Sequence, residues 1–377
     1  MKPAFQLLLC MLPAFACASA GAAPREWTPS HENEVIERLP ERIRPPAATP
    51  QAAAEAARRW IMMARQNADP RYLGRAQAVL ARWWDRPDAP VELAVLQATI
   101  EQSRHEFDAA RKTLQGALAR EPAQAQGWLT MATLERLAGR YDAAAQACAR
   151  VQQAGAGLYA AACTLETRSL LGDFDQAQQG FQALVHQAAD ASTRAWLLSL
   201  LAESEERAGR DASARAAYQG SLQLESDGYT ALAYADLLLR LSQPAEALRV
   251  LASQPASDAV LIRQGQAMKL KGDPGWKAVR SELMERFAAL DARGEDSTLH
   301  ARERALAALW LDDQPDTAWR YAQANLGLQK EPLDWWLALS AAQAAGRSPD
   351  IGRLQQALQG SGLKDARLAR WQAAQKS

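Results

Sequence analysis

Residues 126–152 read QGWLTMATLERLAGRYDAAAQACARVQ. Apolar residues recur at intervals of three or four on both sides of Gly139-Arg140, beginning with Trp128, Met131 and Ala132. This spacing is typical of two amphipathic helices joined by a tight turn. Each helix has about a dozen residues, which is too short for a stable isolated helix in water. The stretch therefore predicts a helix pair that is stabilised by packing against neighbouring pairs.

The same pattern recurs along most of the chain at intervals close to 34 residues. Ala98 and Ala110 stand 34 positions before Ala132 and Ala144. This period resembles the tetratricopeptide repeat (TPR), in which small residues lie where the two helices cross. The resemblance implies an all-α fold: an α-solenoid of about eight to nine TPR-like helix pairs in a right-handed superhelix. The expected pairs begin near residues 57, 91, 125, 158, 195, 228, 258, 299 and 333.

The first residues of the chain indicate export. Lys2 precedes an apolar stretch, and Ala18-Ser19-Ala20 fits the cleavage pattern of a secretory signal peptide. The apolar stretch is shorter than the roughly 20 residues that span a bilayer. We therefore expect a periplasmic or secreted protein with no direct membrane insertion after cleavage. A lipoprotein acylated on Cys17 is the less favoured alternative, because Ala14 occupies the place where a lipobox usually has Leu.

Regularity and composition divide the chain into five segments. The lead-in is rich in Pro and polar residues, and the irregular repeat has an unusually long second helix that begins at Trp276. The expected segments are a signal peptide at 1–23, a Pro-rich lead-in at 24–56, a regular TPR array at 57–257, an irregular repeat at 258–298, and TPR-like repeats with a C-terminal cap at 299–377.

Charge and composition exclude some classes of function. The 377 residues include 43 basic and 43 acidic side chains, so the net charge is zero. Nucleic-acid binding normally needs a clustered excess of basic residues, and we expect no nucleic-acid partner. The four histidines are far apart, and no metal-binding, nucleotide-binding or hydrolase motif is present. The sequence therefore predicts no catalytic residues, no metal and no cofactor, and the protein is not expected to be an enzyme.

Two cysteines, Cys148 and Cys163, follow the expected signal peptide. An oxidising compartment would allow a disulfide between them to persist. The favoured interpretation is nevertheless two small buried thiols, since free Cys packs as a small apolar residue.

Two tryptophans have no obvious place in the repeat. Trp84 and Trp335 each adjoin a tryptophan at a packing position, so they must point elsewhere. Either one is a candidate for an exposed anchor in a binding site or for burial under a neighbouring helix. The tryptophans that fit packing positions are Trp60, Trp83, Trp128 and Trp336.

The TPR resemblance also implies a binding surface. In TPR proteins the first helices of successive pairs line a concave groove that binds protein segments. The Lys and Asn pair of the carboxylate clamp is absent from the corresponding places here. The expected groove residues are Arg136, Tyr159, Glu166, Trp196, Glu203, Glu206, Arg207, Tyr229, Asp236 and Arg240.

This groove leads to an expectation about function. It predicts a non-catalytic scaffold in the periplasm that binds a protein or peptide and assists assembly of an envelope complex. An envelope membrane protein is one candidate partner. The alternative is a regulatory or accessory subunit of an envelope enzyme or transporter, with the chemistry in the partner.

Overall fold

The computed structural model describes residues 49–67, 70–294 and 296–374. These ranges consist of helices joined by turns and short connecting segments, and they contain no β-strand. The helices are α1 (Pro50–Asn67), α2 (Arg71–Leu80), α3 (Val91–Ser103), α4 (Phe107–Arg120), α5 (Ala125–Leu137), α6 (Tyr141–Gln153), α7 (Gly157–Leu170), α8 (Phe174–Gln187), α9 (Ala191–Arg207), α10 (Asp211–Leu224), α11 (Gly228–Arg240), α12 (Pro244–Leu251), α13 (Asp258–Leu270), α14 (Trp276–Ala292), α15 (Ala301–Trp310), α16 (Pro315–Leu328), α17 (Pro332–Ala344), α18 (Ser348–Ser361) and α19 (Ala366–Ala374). A 3-10 turn at Ser297–His300 precedes α15.

The helix pair α5–α6 shows how the repeat sequence forms its local structure. Ala132 and Ala144 are fully buried, and their small side chains allow the two helices to pack closely. Gly139 ends α5 with a φ of +73°, a left-handed conformation that glycine adopts without steric cost. The amide of Arg140 then donates a hydrogen bond to the carbonyl of Glu135, which closes the turn before α6. The predicted helix pair is therefore present.

The pairs stack into a curved array. The odd-numbered helices α1 to α17 are the first helices of nine pairs, the even-numbered helices are the second, and α19 follows the last pair. Successive first helices contact one another along the whole array, from α1 with α3 to α17 with α19. Within the described ranges, successive second helices do not make comparable contacts. The array therefore curves with the first helices on its inner face, which confirms the predicted all-α solenoid of helix pairs.

The first pair begins earlier in the sequence than its apolar spacing indicates. The helix α1 begins at Pro50, inside the expected lead-in at 24–56. Proline is well suited to the first turn of a helix, where its missing N–H costs no hydrogen bond. Thr49 accepts a hydrogen bond from the amide of Ala52 and serves as the cap. The expected signal peptide at 1–23 lies outside the described residues.

The array also contacts itself at a distance. The Nδ1 of His105 lies 2.7 Å from the carbonyl oxygen of Leu299, which is 194 positions further along the chain. The amide of Lys330 donates to the carbonyl of Leu137 at 2.7 Å, and that of Lys364 donates to Leu170 at 2.8 Å. The first two contacts join the turn within one pair to the segment that precedes the sixth pair after it, and the third joins the turn of the fourth pair to the segment that precedes α19. The solenoid thus completes one coil and begins a second that lies against the first.

An apolar cluster fills part of this junction between the coils. Tyr141 and Leu170 come from the first coil, and the buried side chains that meet them come from α17 to α19. Trp335 is one of these and is only 4% exposed, so it is buried and is not a surface anchor. Trp84 is half-buried against the first two pairs. The remaining buried members of the cluster are Leu339, Leu358, Leu363 and Leu368.

Among the described residues, none of the helices combines the length and apolarity that a membrane span requires.

Candidate protein-binding groove

Ion pairs connect successive first helices across the inner face. The Nη2 of Arg136 in α5 lies 2.9 Å from the Oε2 of Glu166 in α7. Arg240 in α11 reaches back to Glu206 in α9, with Nη2 and Oε1 3.3 Å apart. Side chains of opposite charge in neighbouring first helices thus neutralise one another. Five of the ten expected groove residues, Arg136, Glu166, Glu206, Asp236 and Arg240, belong to this series of pairs.

The expected groove residues differ greatly in accessibility. Glu206 and Arg207 are only 3% and 4% exposed. Arg207 donates to the hydroxyl of Ser169 at 2.7 Å, and Glu206 accepts from the Tyr218 hydroxyl at 3.1 Å. These two side chains therefore serve the packing of α9 and are not available to a partner in this conformation. Tyr159, Glu166, Trp196, Glu203, Asp236 and Arg240 are half-buried.

Three aromatic residues mark the N-terminal ends of neighbouring first helices. Tyr159 in α7 and Trp196 in α9 contact each other, with ring centroids 5.5 Å apart. Tyr229 occupies the equivalent place in α11 and is 55% exposed. Accessible aromatic rings supply contact area and a polar tip, so they are well suited to binding a protein segment. The repeat register placed these three residues together, and we call them the aromatic row.

Carboxylates lie beside the aromatic row. Burial of Glu203 is the main cause that raises its pKa to about 7, although the nearby charge of Arg207 lowers it. The negative charges of Glu166 and Glu331 raise the pKa further. The charge of Glu203 is in turn the main cause that raises the pKa of the Tyr229 hydroxyl well above its usual value. Each of these three carboxylates also has an arginine partner, which is Arg207 for Glu203, Arg136 for Glu166 and Arg302 for Glu331. This part of the inner face is therefore a dense cluster of paired charges.

Glu331 is a groove residue that the sequence analysis missed. It belongs to the segment before α17, in the second coil, and it faces carboxylates of the first coil. The repeat pattern reports only neighbours in the stack, so it carries no signal for a residue that arrives from a later coil. Arg263 was missed for a different reason, because the register is looser after residue 258. It binds Asp236 through two hydrogen bonds of 2.7 Å.

The two cysteines lie close to the groove and are joined. Cys148 in α6 and Cys163 in α7 form a disulfide, with Cα atoms 5.6 Å apart. The favoured interpretation of two separate thiols is therefore wrong. The apolar spacing showed that both residues are buried, but it did not show that α6 and α7 bring them together. Arg136 reaches the Sγ of Cys163 at 3.6 Å, so the disulfide adjoins the first ion pair of the groove.

No arrangement typical of a metal site is present in the part of the chain that the structure describes. No group of three or more His, Cys, Asp or Glu side chains is placed to hold an ion there. The polar side chains of the inner face are instead paired with one another.

Comparison with solved structures supports the architecture. A Rap protein in complex with Competence and Sporulation Factor is similar over 83% of this chain and 85% of its own, with a TM-score of 0.53 and 8% identity. The chain has a TPR-like fold. At this identity the similarity shows the fold alone. No model of a known family matches the sequence, and no curated protein matches it.

Two further structures are similar to this TPR-like chain. A tetratricopeptide repeat protein from Parabacteroides merdae covers 67% of the chain and 98% of its own length, with 12% identity and a TM-score of 0.39. The human IFIT1 dimer with PPP-AAAA covers 83% of the chain and 73% of its own length, with 11% identity and a TM-score of 0.47.

Proposed function

We propose that the protein is an exported, non-catalytic scaffold that binds a segment of another protein on its inner face and assists assembly of an envelope complex. The observation that carries this proposal is the aromatic row beside a cluster of carboxylates, which includes Glu166, Glu203 and Glu331. Tyr229 offers an accessible ring, and Glu203 and Glu331 supply negative potential next to it. A segment with a basic side chain next to an apolar one has the matching chemistry.

Export is supported by two independent features. The composition of residues 1–23 fits a cleaved signal peptide. The disulfide between Cys148 and Cys163 is of a kind that persists in oxidising compartments such as the bacterial periplasm. Both the signal-like sequence and the disulfide are consistent with a periplasmic or secreted location.

The proposal is tested by crosslinking and co-purification from the envelope fraction of the native cell. Wild type is compared with Tyr229→Arg, which places a positive charge beside Glu203 at an exposed position. The matched control is Leu224→Arg at the end of α10, where the side chain is 39% exposed and belongs to a second helix. Circular dichroism checks that both variants are folded.

We expect a discrete protein to be recovered with wild type and with Leu224→Arg, and to be lost with Tyr229→Arg. Equal recovery with all three would refute binding at the aromatic row. Recovery of an enzyme or transporter whose activity changes in the complex would favour the alternative of an accessory subunit. Turnover by the fully purified chain would contradict a non-catalytic role.

A further inference from the structure

The last helix, α19, makes charged contacts with repeats far from it in the sequence. The Nη1 of Arg367 lies 3.0 Å from the Oε1 of Glu206, 161 positions earlier. The Nη1 of Arg370 lies 3.1 Å from the Oδ2 of Asp211, and its Nη2 donates to the carbonyl of Gly209 at 3.3 Å. Glu206 is an expected groove residue, so α19 contacts a residue that the sequence assigns to the groove.

The helix α19 is amphipathic in a way that matches these contacts. Arg367 and Arg370 are three residues apart, so they share one face of the helix. Leu368 is 3% exposed and packs in the cluster between the coils, where Trp371 also packs. The helix thus presents two arginines to the carboxylates and an apolar edge to Leu170. The binding mode is that of an amphipathic helix held in a groove.

The surface that receives α19 combines the first coil, which supplies the charged partners, with α17, which packs against α19 in the apolar cluster between the coils. Arg240 holds both carboxylates in place, at 3.3 Å from Glu206 and 2.8 Å from Asp211. Burial by itself would raise the pKa of Asp211, but Arg240 and Arg370 outweigh it and lower the pKa, so the carboxylate stays charged. We call Leu170, Glu206, Gly209 and Asp211 the α19 site.

Close approach is possible because the site includes a glycine. A Cβ on Gly209 would lie 2.9 Å from the Cβ of Ala366 and 2.9 Å from the Nη2 of Arg370. Real Cβ atoms essentially never come so near another atom, so the backbone of the turn and that of α19 meet only because no side chain separates them. The site is therefore shaped for a helix that begins with a small residue and carries two arginines.

We propose that the α19 site is a helix-binding site that α19 occupies within the molecule, and that an arginine-bearing amphipathic helix of a protein partner binds there by displacing α19. This rests on the proposed function only in taking the partner to be a protein segment. The site is separate from Tyr229. Because α19 is tethered to α18, its effective concentration at the site is high, in the millimolar range for a short linker. The form in which α19 occupies its site therefore excludes partner helices that bind weakly.

The test uses a labelled peptide with the sequence of residues 363–377, LKDARLARWQAAQKS, and fluorescence anisotropy. It is titrated with the wild-type chain, with Arg367→Glu combined with Arg370→Glu, and with the control Arg353→Glu. Arg353 is 75% exposed and pairs with Asp350 of its own helix. Hydrogen exchange of residues 366–374 reports whether α19 has left its site.

We expect the double variant to lose protection in α19 and to bind the peptide at least about tenfold more tightly than wild type and the control. A peptide with both arginines replaced by Glu should not bind. Unchanged protection in the double variant would overturn the proposal, because the charges would then not hold the helix. The proposal would also be overturned if the double variant, with α19 released, bound the peptide no more tightly than wild type or did not bind it.

A second variant covers the case in which the double variant does not fold. Leu368→Ser removes the apolar anchor and leaves both arginines and the α19 site unchanged. It should release α19 and bind the peptide in the same way, and failure to do so would refute the proposal. Tyr229→Arg should leave binding of the peptide unaltered. This control distinguishes a loss of partner binding at the aromatic row from a loss of helix binding at the α19 site.

Discussion

Glu203 lies between an arginine and two carboxylates, so its protonation depends on which charged groups are present in the groove. Its Oε1 is shielded from solvent and accepts no hydrogen bond from any residue that the structure describes. A buried oxygen without a donor is costly when the carboxyl is ionised, and less so when it is protonated. A cationic group from a partner would favour the ionised form and would release a proton on binding.

Replacement of Glu203 tests this account through the pH dependence of stability. Folding raises the pKa of Glu203 from 4.5 to about 7, so the folded state holds this proton more tightly than the unfolded state. The stability that the group contributes is present below its unfolded pKa and is lost as the pH rises to its folded pKa. We therefore expect Glu203→Gln to be more stable relative to wild type at about pH 8 than at about pH 5.

Thermal unfolding followed by circular dichroism at both pH values measures this difference. Glu92→Gln is the control, since Glu92 lies in an exposed pair with Arg58. A difference between Glu203→Gln and wild type that is the same at both pH values would contradict the raised pKa.

The helix pairs are the scale at which sequence prediction works best. Alanines such as Ala132 and Ala144 recur with the period of the array because every pair has the same crossing, so local spacing reveals the helices. It also placed Tyr159 beside Trp196 in adjacent first helices. The same spacing does not reveal which cysteines meet, because burial is compatible with both a thiol and a disulfide.

The disulfide ties the third pair to the fourth. It joins residues 15 positions apart, and a loop of about that length contributes about 3 kcal/mol to the free energy of unfolding. We expect a phosphine reductant to lower the midpoint of urea unfolding of wild type. The double variant Cys148→Ala with Cys163→Ala should already have the lower midpoint, and the reductant should not change it. A wild-type midpoint that is indifferent to reductant would show that the bond does not stabilise the fold.

At the scale of the whole molecule, the contacts between the two coils could not be predicted from the repeat pattern. His105 with Leu299, and Glu206 with Arg367, are contacts between residues 194 and 161 positions apart. A periodic sequence describes how each pair meets the next, and the path of the coil follows from small rotations summed over many pairs. The long helix α14 was visible in the sequence as an irregular repeat, but its effect on the path of the coil was not. The contacts between the coils and the α19 site are therefore seen in the structure and could not be predicted from the sequence.

Two turn glycines allow the coil junction to be tested against a matched control. Gly209 and Gly272 each end a first helix, with φ values of +77° and +72°. A Cβ on Gly209 would meet Ala366 and Arg370 of the second coil, whereas a Cβ on Gly272 would have no atom within 4 Å. Both Gly→Ala variants should lose about 1–2 kcal/mol from the left-handed conformation.

Only Gly209→Ala should also weaken the junction. Hydrogen exchange is expected to be faster at Lys364 and through α19 in that variant, and to be unchanged there in Gly272→Ala. Equal exchange in the two variants would mean that the coils are not held together at Gly209.

The coil junction also limits how the length of such a protein can change. Open repeat arrays gain or lose whole units at little cost, because each unit touches only its neighbours. Here the turns of three successive pairs bond to the segments that precede α15, α17 and α19 in the second coil. All three contacts span residues 170–299, so insertion or deletion of a single unit there would shift the partners of every contact relative to each other. Duplication of a repeat in this stretch, which an open array tolerates, would in this molecule break all three contacts together.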